Sequence, residues 1–122
     1  MFATTGSVAG HIKSGKLKAL AVTSAGTSPI APGLPTLSAS GLPGYASESI
    51  YGMWAPGKTA RAIVARLHQE AVRSLQIAMV RDRFLGSGVE PVGSTPEQFA
   101  ATMQAEAVRL DRVIKAGGIR AN

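Results

Sequence analysis

The residues that could do chemistry in this chain are few. His11 and His68 are its only imidazoles, and there is no cysteine. The two histidines lie far apart in sequence with no acidic residue at metal-ligand spacing beside either, so a metal site is not expected. His68 falls on the flank of an apolar stripe, where a packed, hydrogen-bonded imidazole is the plainer reading. A Ser-His-Asp centre would need an activated serine next to one of these rings, and no Gly-x-Ser-x-Gly elbow exists. Glu48 and Glu90 are too distant in sequence to argue as a dyad. Gly86-x-Gly88 precedes an expected strand rather than following one, which is the wrong order for a nucleotide fingerprint. The chain is therefore not expected to be an enzyme or to need a cofactor. Anion binding by backbone remains. Thr4-Thr5-Gly6-Ser7 offers three hydroxyls and a glycine between an expected strand end and an expected helix start, where free N–H groups and the helix dipole favour negative charge. That set suits a carboxylate. The same four residues are also what an ordinary capped turn requires, and local sequence leaves both readings open.

These residues need elements to hold them. Met1 to Ala3 read as the end of an apolar strand, followed by a short helix with Ser7 as N-cap and Gly15 as the left-handed stop. Leu17 to Thr23 is a near-continuous apolar run, as in a strand covered on both faces, and the strand-helix-strand order predicts a parallel pair. Residues 24–44 hold Pro29, Pro32, Pro35 and Pro43 and read as an ordered surface loop, with room for one helical turn near Thr36 to Ser40. Ser47 to Pro56, with the only Trp, reads as a partly buried strand ending at a Pro-Gly corner. A helical stripe starts at Thr59, its candidate N-cap, and runs through Ile63, Leu67, Ala71 and Leu75 to Phe84. No proline interrupts it, so it predicts either one long helix or two with a kink near Gln76. Val89 to Val92 reads as a short strand. Thr95-Pro96-Glu97-Gln98 is a capping box with the favoured proline, opening a helix to about Ala116 with Phe99, Met103, Ala107, Leu110, Val113 and Ile114 on its apolar face.

Length and composition bound the remaining classes. At 122 residues one domain is the default. No apolar run is long enough to span a bilayer, and the start lacks the basic and apolar regions of a signal peptide. The net charge of +6 would draw an anion, but the charges are dispersed, so nucleic-acid binding is not expected. The mildly positive mean hydropathy predicts apolar surface that wants a partner.

Several segments carry a resemblance. Ile12-Lys13-Ser14-Gly15-Lys16-Leu17-Lys18-Ala19-Leu20-Ala21-Val22-Thr23-Ser24, Leu34-Pro35-Thr36-Leu37 with Gly41-Leu42-Pro43-Gly44-Tyr45, Tyr51-Gly52-Met53-Trp54-Ala55-Pro56, Gly88 to Phe99 (GVEPVGSTPEQF) and Val113 to Ile119 (VIKAGGI) fall in order along the chain. Together they resemble the substrate-binding proteins of tripartite tricarboxylate transporters, the Bug or TctC family, and specifically their C-terminal part. Two departures stand out: Gly57-Lys58-Thr59-Ala60 where the family has Ala-Gly-Thr-Pro, and Gln76-Ile77-Ala78-Met79 where it has an Asp-Pro-Glu break.

The resemblance implies an α/β fold, the C-terminal portion of a type II periplasmic-binding-protein-like (Venus flytrap) architecture, with a parallel or mixed sheet flanked by helices. It implies that residues 1–46 close the second ligand-binding lobe, 47–56 form a crossing strand or hinge, and 57–122 form a helical region returning to the other lobe. It implies a periplasmic protein that captures small carboxylates for membrane transporter subunits. The pocket-facing positions carried over are Phe2, Ala3, Thr4 and Thr5, with Ser49, Tyr51 and Gly52 from the crossing strand, beside the Gly6 and Ser7 already singled out. The crossing strand Ser47 to Ala55 and the stripe ending at Phe84 would otherwise expose apolar surface and an unpaired sheet edge, so a homo-oligomer is expected. The competing expectation is a non-catalytic, self-associating α/β interaction module without a physiological ligand.

Overall fold

The computed structural model describes residues 1–120 and contains four helices: α1 (Thr5–Lys13), α2 (Arg61–Leu75), α3 (Ala78–Gly86) and α4 (Pro96–Ala116). Helix α1 begins after Thr4, which is extended at φ −69°, ψ 140° and makes no side-chain cap bond. The expected N-cap, Ser7, instead lies inside the helix. Its hydroxyl donates back to the Thr4 carbonyl at 2.8 Å, the local alternative that a serine offers in a first turn. Gly15 ends the helix as expected, at φ 71°, and the Lys16 N–H reaches the His11 carbonyl at 2.9 Å.

Helix α2 also starts later than its sequence suggests. The Thr59 N–H closes a turn on the Pro56 carbonyl at 2.9 Å, so Thr59 belongs to the corner, and Ala60 flanks the helix without a side-chain cap. The apolar stripe is broken into two helices. Gln76 stays helical at ψ −13°, whereas Ile77 swings to ψ 119° and restarts the chain as α3.

The start of α4 agrees with its sequence in every bond. The Gln98 N–H donates to Thr95 Oγ1 at 3.2 Å, and the Thr95 N–H donates to Gln98 Oε1 at 3.0 Å, with Pro96 at the first helical position. Thr95→Ala is expected to cost about 1 kcal/mol because it removes the acceptor of the Gln98 N–H, whereas Pro96→Ala removes only preorganisation and should be mild. Equal shifts of the urea midpoint for the two variants would contradict this division. The buried phase of α4 differs from the expected stripe. Phe99, Met103, Glu106 and Arg109 are half-buried, while Leu110, Val113 and Ile114 are exposed. Arg109 Nε donates to Glu106 Oε2 at 2.8 Å, and that hydrogen bond, with the guanidinium charge, holds the Glu106 carboxyl below the usual range. The covered face is thus shifted by one residue from the expected stripe beyond Met103, and the Glu106–Arg109 pair lies on it.

The expected sheet is not formed among the described residues. Its one trace is a parallel bridge between Val22 and Thr36, in which the Val22 N–H donates to the Pro35 carbonyl and the Leu37 N–H to the Val22 carbonyl, both at 2.9 Å. The Leu17–Thr23 run thus pairs with the proline loop rather than with Met1 to Ala3. Thr36, 9% exposed, is the one buried residue among those described, so the loop is ordered, as expected. Neither Val89 to Val92 nor Ser47 to Ala55 forms a strand pair: among the described residues no backbone group from Glu48 through Ala55 makes a hydrogen bond, and the chain runs from 45 to 56 without turn or bend. No hydrophobic residue among those described is fully buried, and the accessible surface is 9767 Å². A compact protein of this mass would show about 6,200 Å².

Candidate functional site

The Thr4–Ser7 segment forms the N-terminus of α1. The N–H groups of Thr5 and Gly6 have no acceptor among the described residues, so two backbone donors stay free at the positive end of the helix. Of the three hydroxyls, two are engaged with one another: Thr4 Oγ1 donates to Ser7 Oγ at 3.2 Å, and Ser7 Oγ donates to the Thr4 carbonyl. That leaves the Thr5 hydroxyl. Phe2 and Ala3 precede the helix and are exposed.

Gly6 packs against a part of the chain that sequence reasoning did not connect to it. A Cβ on Gly6 would overlap the Ser87 carbonyl oxygen, and a Cβ on Gly88, which stands at φ 73°, would overlap the backbone of Gly6 and Thr5. The turn after α3 therefore lies directly on the first turn of α1. Two glycines facing each other make this approach possible, since each presents a hydrogen where any other residue presents a carbon. The pairing is a tertiary contact across the chain, and the only trace in the sequence is a glycine at each side.

Ser49, Tyr51 and Gly52 lie on the run from Glu48 to Ala55, whose backbone makes no hydrogen bond among the described residues. Ser49 and Tyr51 are exposed, and neither hydroxyl has a hydrogen-bond partner among the described residues. Gly52 lies under the Phe99 ring, which also packs on Trp54 at a centroid separation of 5.3 Å and an interplanar angle of 60°. No hydrogen bond joins Thr4–Ser7 to Ser49–Gly52. The structure keeps each cluster intact and leaves them as separate open surfaces.

Beside α1 lies a groove of about 630 Å³ that contains Thr5 but none of the other expected site residues. Ala9, Ile12, Leu17 and Leu34 form its apolar floor, with Lys13 and Lys18 supplying positive charge. Sequence reasoning missed it because its walls come from α1, the following segment and the proline loop together. A pattern that the sequence also contains, Gly52-x-x-x-x-Gly57-Lys58-Thr59, has the spacing of a phosphate-binding loop. The structure does not build one. Gly52 lies beneath Phe99 in a run without turn or bend to Pro56, and α2 begins only at Arg61, so no glycine loop wraps a helix start at Lys58.

The histidines take no part in either cluster. His68 is half-buried, and its Nε2 is buried without a hydrogen-bond partner, which corrects the expectation of a hydrogen-bonded ring. No group of three potential metal ligands comes together among the described residues. No helix among them is long and apolar enough to cross a membrane.

Comparison with known proteins adds three findings. The sequence profile of the tripartite tricarboxylate transporter family receptors, TctC, matches residues 1–119. Protein BugT of Bordetella pertussis is 31% identical over 110 residues, covering 90% of this chain and 34% of its own length. A UPF0065 protein from the tcbD-tcbE intergenic region of Pseudomonas sp. strain P51 is 31% identical over 113 residues, covering 92% of this chain and 34% of its own. The chain thus spans about a third of the length of the curated relatives it matches. Among solved structures, R. palustris Rpa4515 with adipate superimposes with a TM-score of 0.77 at 29% identity, over 93% of this chain and 38% of that one. The likeness supports a periplasmic-binding-protein-like fold.

Proposed function

Because the chain belongs to the tripartite tricarboxylate transporter receptor family, we propose that it contributes a carboxylate-binding surface to an extracytoplasmic solute receptor rather than catalysing a reaction. The observation that carries this reading is the α1 N-terminus, where the Thr5 and Gly6 N–H groups and the Thr5 hydroxyl are free to donate to an anion. The adipate in the related R. palustris structure supports a small carboxylate as the anion class. Tyr51 and Ser49 supply further hydroxyls on a second surface, and Phe2 and Ala3 border the first. In this reading the protein works in the periplasm and passes its ligand to the membrane subunits of a tripartite transporter.

The two surfaces stand open to water, so each oxygen of a bound carboxylate trades protein donors against solvent, and affinity is weak. Titration of the chain with adipate, citrate and succinate, followed by backbone amide shifts, is expected to move Thr5 and Gly6 first, with a Kd on the order of millimolar. Adipamide, the neutral counterpart, should leave these amides unmoved. An equal response to adipamide, or shifts confined to the arginine and lysine faces of α2 and α4, would overturn the assignment.

A further inference from the structure

We propose that the groove beside α1 is a binding site for a linear medium-chain monocarboxylate, with its head at Lys13 and Lys18 and its alkyl chain laid along the helix toward Thr5. The site lies on the flank of α1, and nothing in it depends on the free N–H groups at the helix start.

Polarity is divided along the groove. Ala9, Ile12, Leu17, Ile30 and Leu34 form an apolar floor drawn from α1, the segment after it and the proline loop. The cations lie at one end. Lys13 is the last residue of α1, and the chain folds back just beyond it, with the Lys16 and Leu17 N–H groups on the His11 carbonyl at 2.9 and 3.1 Å, which brings Lys18 to the same end of the helix. Both lysines are exposed, neither is in an ion pair among the described residues, and no acidic residue lines the groove. An apolar surface that only awaited more polypeptide would gain nothing from two ammonium groups, since covering a cation without an anion costs free energy. An anion with a hydrocarbon tail satisfies both halves at once.

Length selects the tail. Helix α1 has nine residues from Thr5 to Lys13, which at a rise of 1.5 Å per residue separates the two ends of the groove by about 12 Å. An extended alkyl chain with C–C bonds of about 1.5 Å advances about 1.25 Å per carbon, so about eight to ten carbons fill that distance. The volume of about 630 Å³ is that of a small-molecule site. The walls are also set before a ligand arrives. The Val22–Thr36 bridge ties the proline loop to the segment after α1, and the Leu34 N–H closes a turn on the Ala31 carbonyl at 3.3 Å. A smaller apolar groove of about 390 Å³ beside α3, which includes Val80 and Val89, provides an internal comparison.

The test titrates the 122-residue chain with hexanoate, octanoate, decanoate and dodecanoate below their micellar concentrations and follows side-chain methyl signals. Octanoate is expected to shift Ile12, Leu17 and Leu34 with a Kd on the order of a millimolar. Affinity should rise about twofold per added CH2 up to decanoate, half the free energy of complete burial, and then level off as the tail passes Thr5. Suberate, which puts a second carboxylate on the apolar floor, should bind at least about fivefold more weakly than octanoate. Joint replacement Lys13→Gln and Lys18→Gln should weaken octanoate about tenfold and leave octanol unaffected. Absence of shifts at Ile12, Leu17 and Leu34, equal binding of suberate or octanol, or affinity still climbing at dodecanoate would each overturn the assignment. So would an unchanged octanoate Kd in the double lysine variant, or equal shifts at Val80 and Val89. The adipate response of the Thr5 and Gly6 amides is read in separate samples and stands or falls on its own.

Discussion

Gly88→Ala is expected to lower the stability of the protein by about 2–4 kcal/mol, the largest effect of any single methyl group added to this chain. Two costs combine. At φ 73° an L-residue is strained by its own backbone, and the added Cβ would also meet the backbone of Thr5 and Gly6 rather than a side chain able to swing aside. Gly6→Ala attacks the same contact from the other side, against the Ser87 carbonyl. Since both remove one approach, the double variant should cost much less than the sum of the singles. Gly10→Ala is the control: it lies inside α1 with open space around it, and should stabilise by roughly 0.5–1 kcal/mol. Urea unfolding of the four variants checks the set. A loss below about 0.5 kcal/mol for Gly88→Ala would show that the turn after α3 does not rest on α1.

The second large effect is expected at Gly52. A Cβ there would overlap the Phe99 ring, so Gly52→Ala should expel the ring, break its contact with Trp54 and cost about 1–3 kcal/mol. The obstruction is the far end of a side chain, which makes the effect repairable. Shortening Phe99 to leucine in the Gly52→Ala background should recover part of the loss, although Phe99→Leu alone destabilises. Trp54, the sole tryptophan, reports the event directly through its emission. Unchanged emission in Gly52→Ala would place the ring elsewhere.

What could be read from the sequence was what is decided within a turn or two of chain. The Thr95 capping box and the Gly15 stop depend on neighbours a few residues apart, and residue type fixes them. The start of α2 was misplaced because Thr59 serves equally as cap or corner, and the Pro56 carbonyl decided between them. The break at Ile77 leaves no proline or glycine to mark it. On α4 the apolar period pointed to Leu110, whereas the covered face is shifted by one residue and the Glu106–Arg109 pair lies on it. The strands failed for a deeper reason: an apolar run predicts that a segment wants to pair, while the partner is set by the rest of the fold. Of the candidate site, Thr4 to Ser7 was legible as a helix start near an anion-friendly glycine. The turn that rests on it, Ser87-Gly88, was not, because nothing local ties residue 88 to residue 6.

The straight, unbonded run from Glu48 to Ala55 is also the shape that proteases require, since their clefts bind substrate as an added strand. Its accessible Tyr51, Met53 and Trp54 present bulky residues beside peptide bonds that no unfolding step needs to release. Limited proteolysis is then expected to cut this run ahead of the helices, with the first fragments ending between 48 and 55.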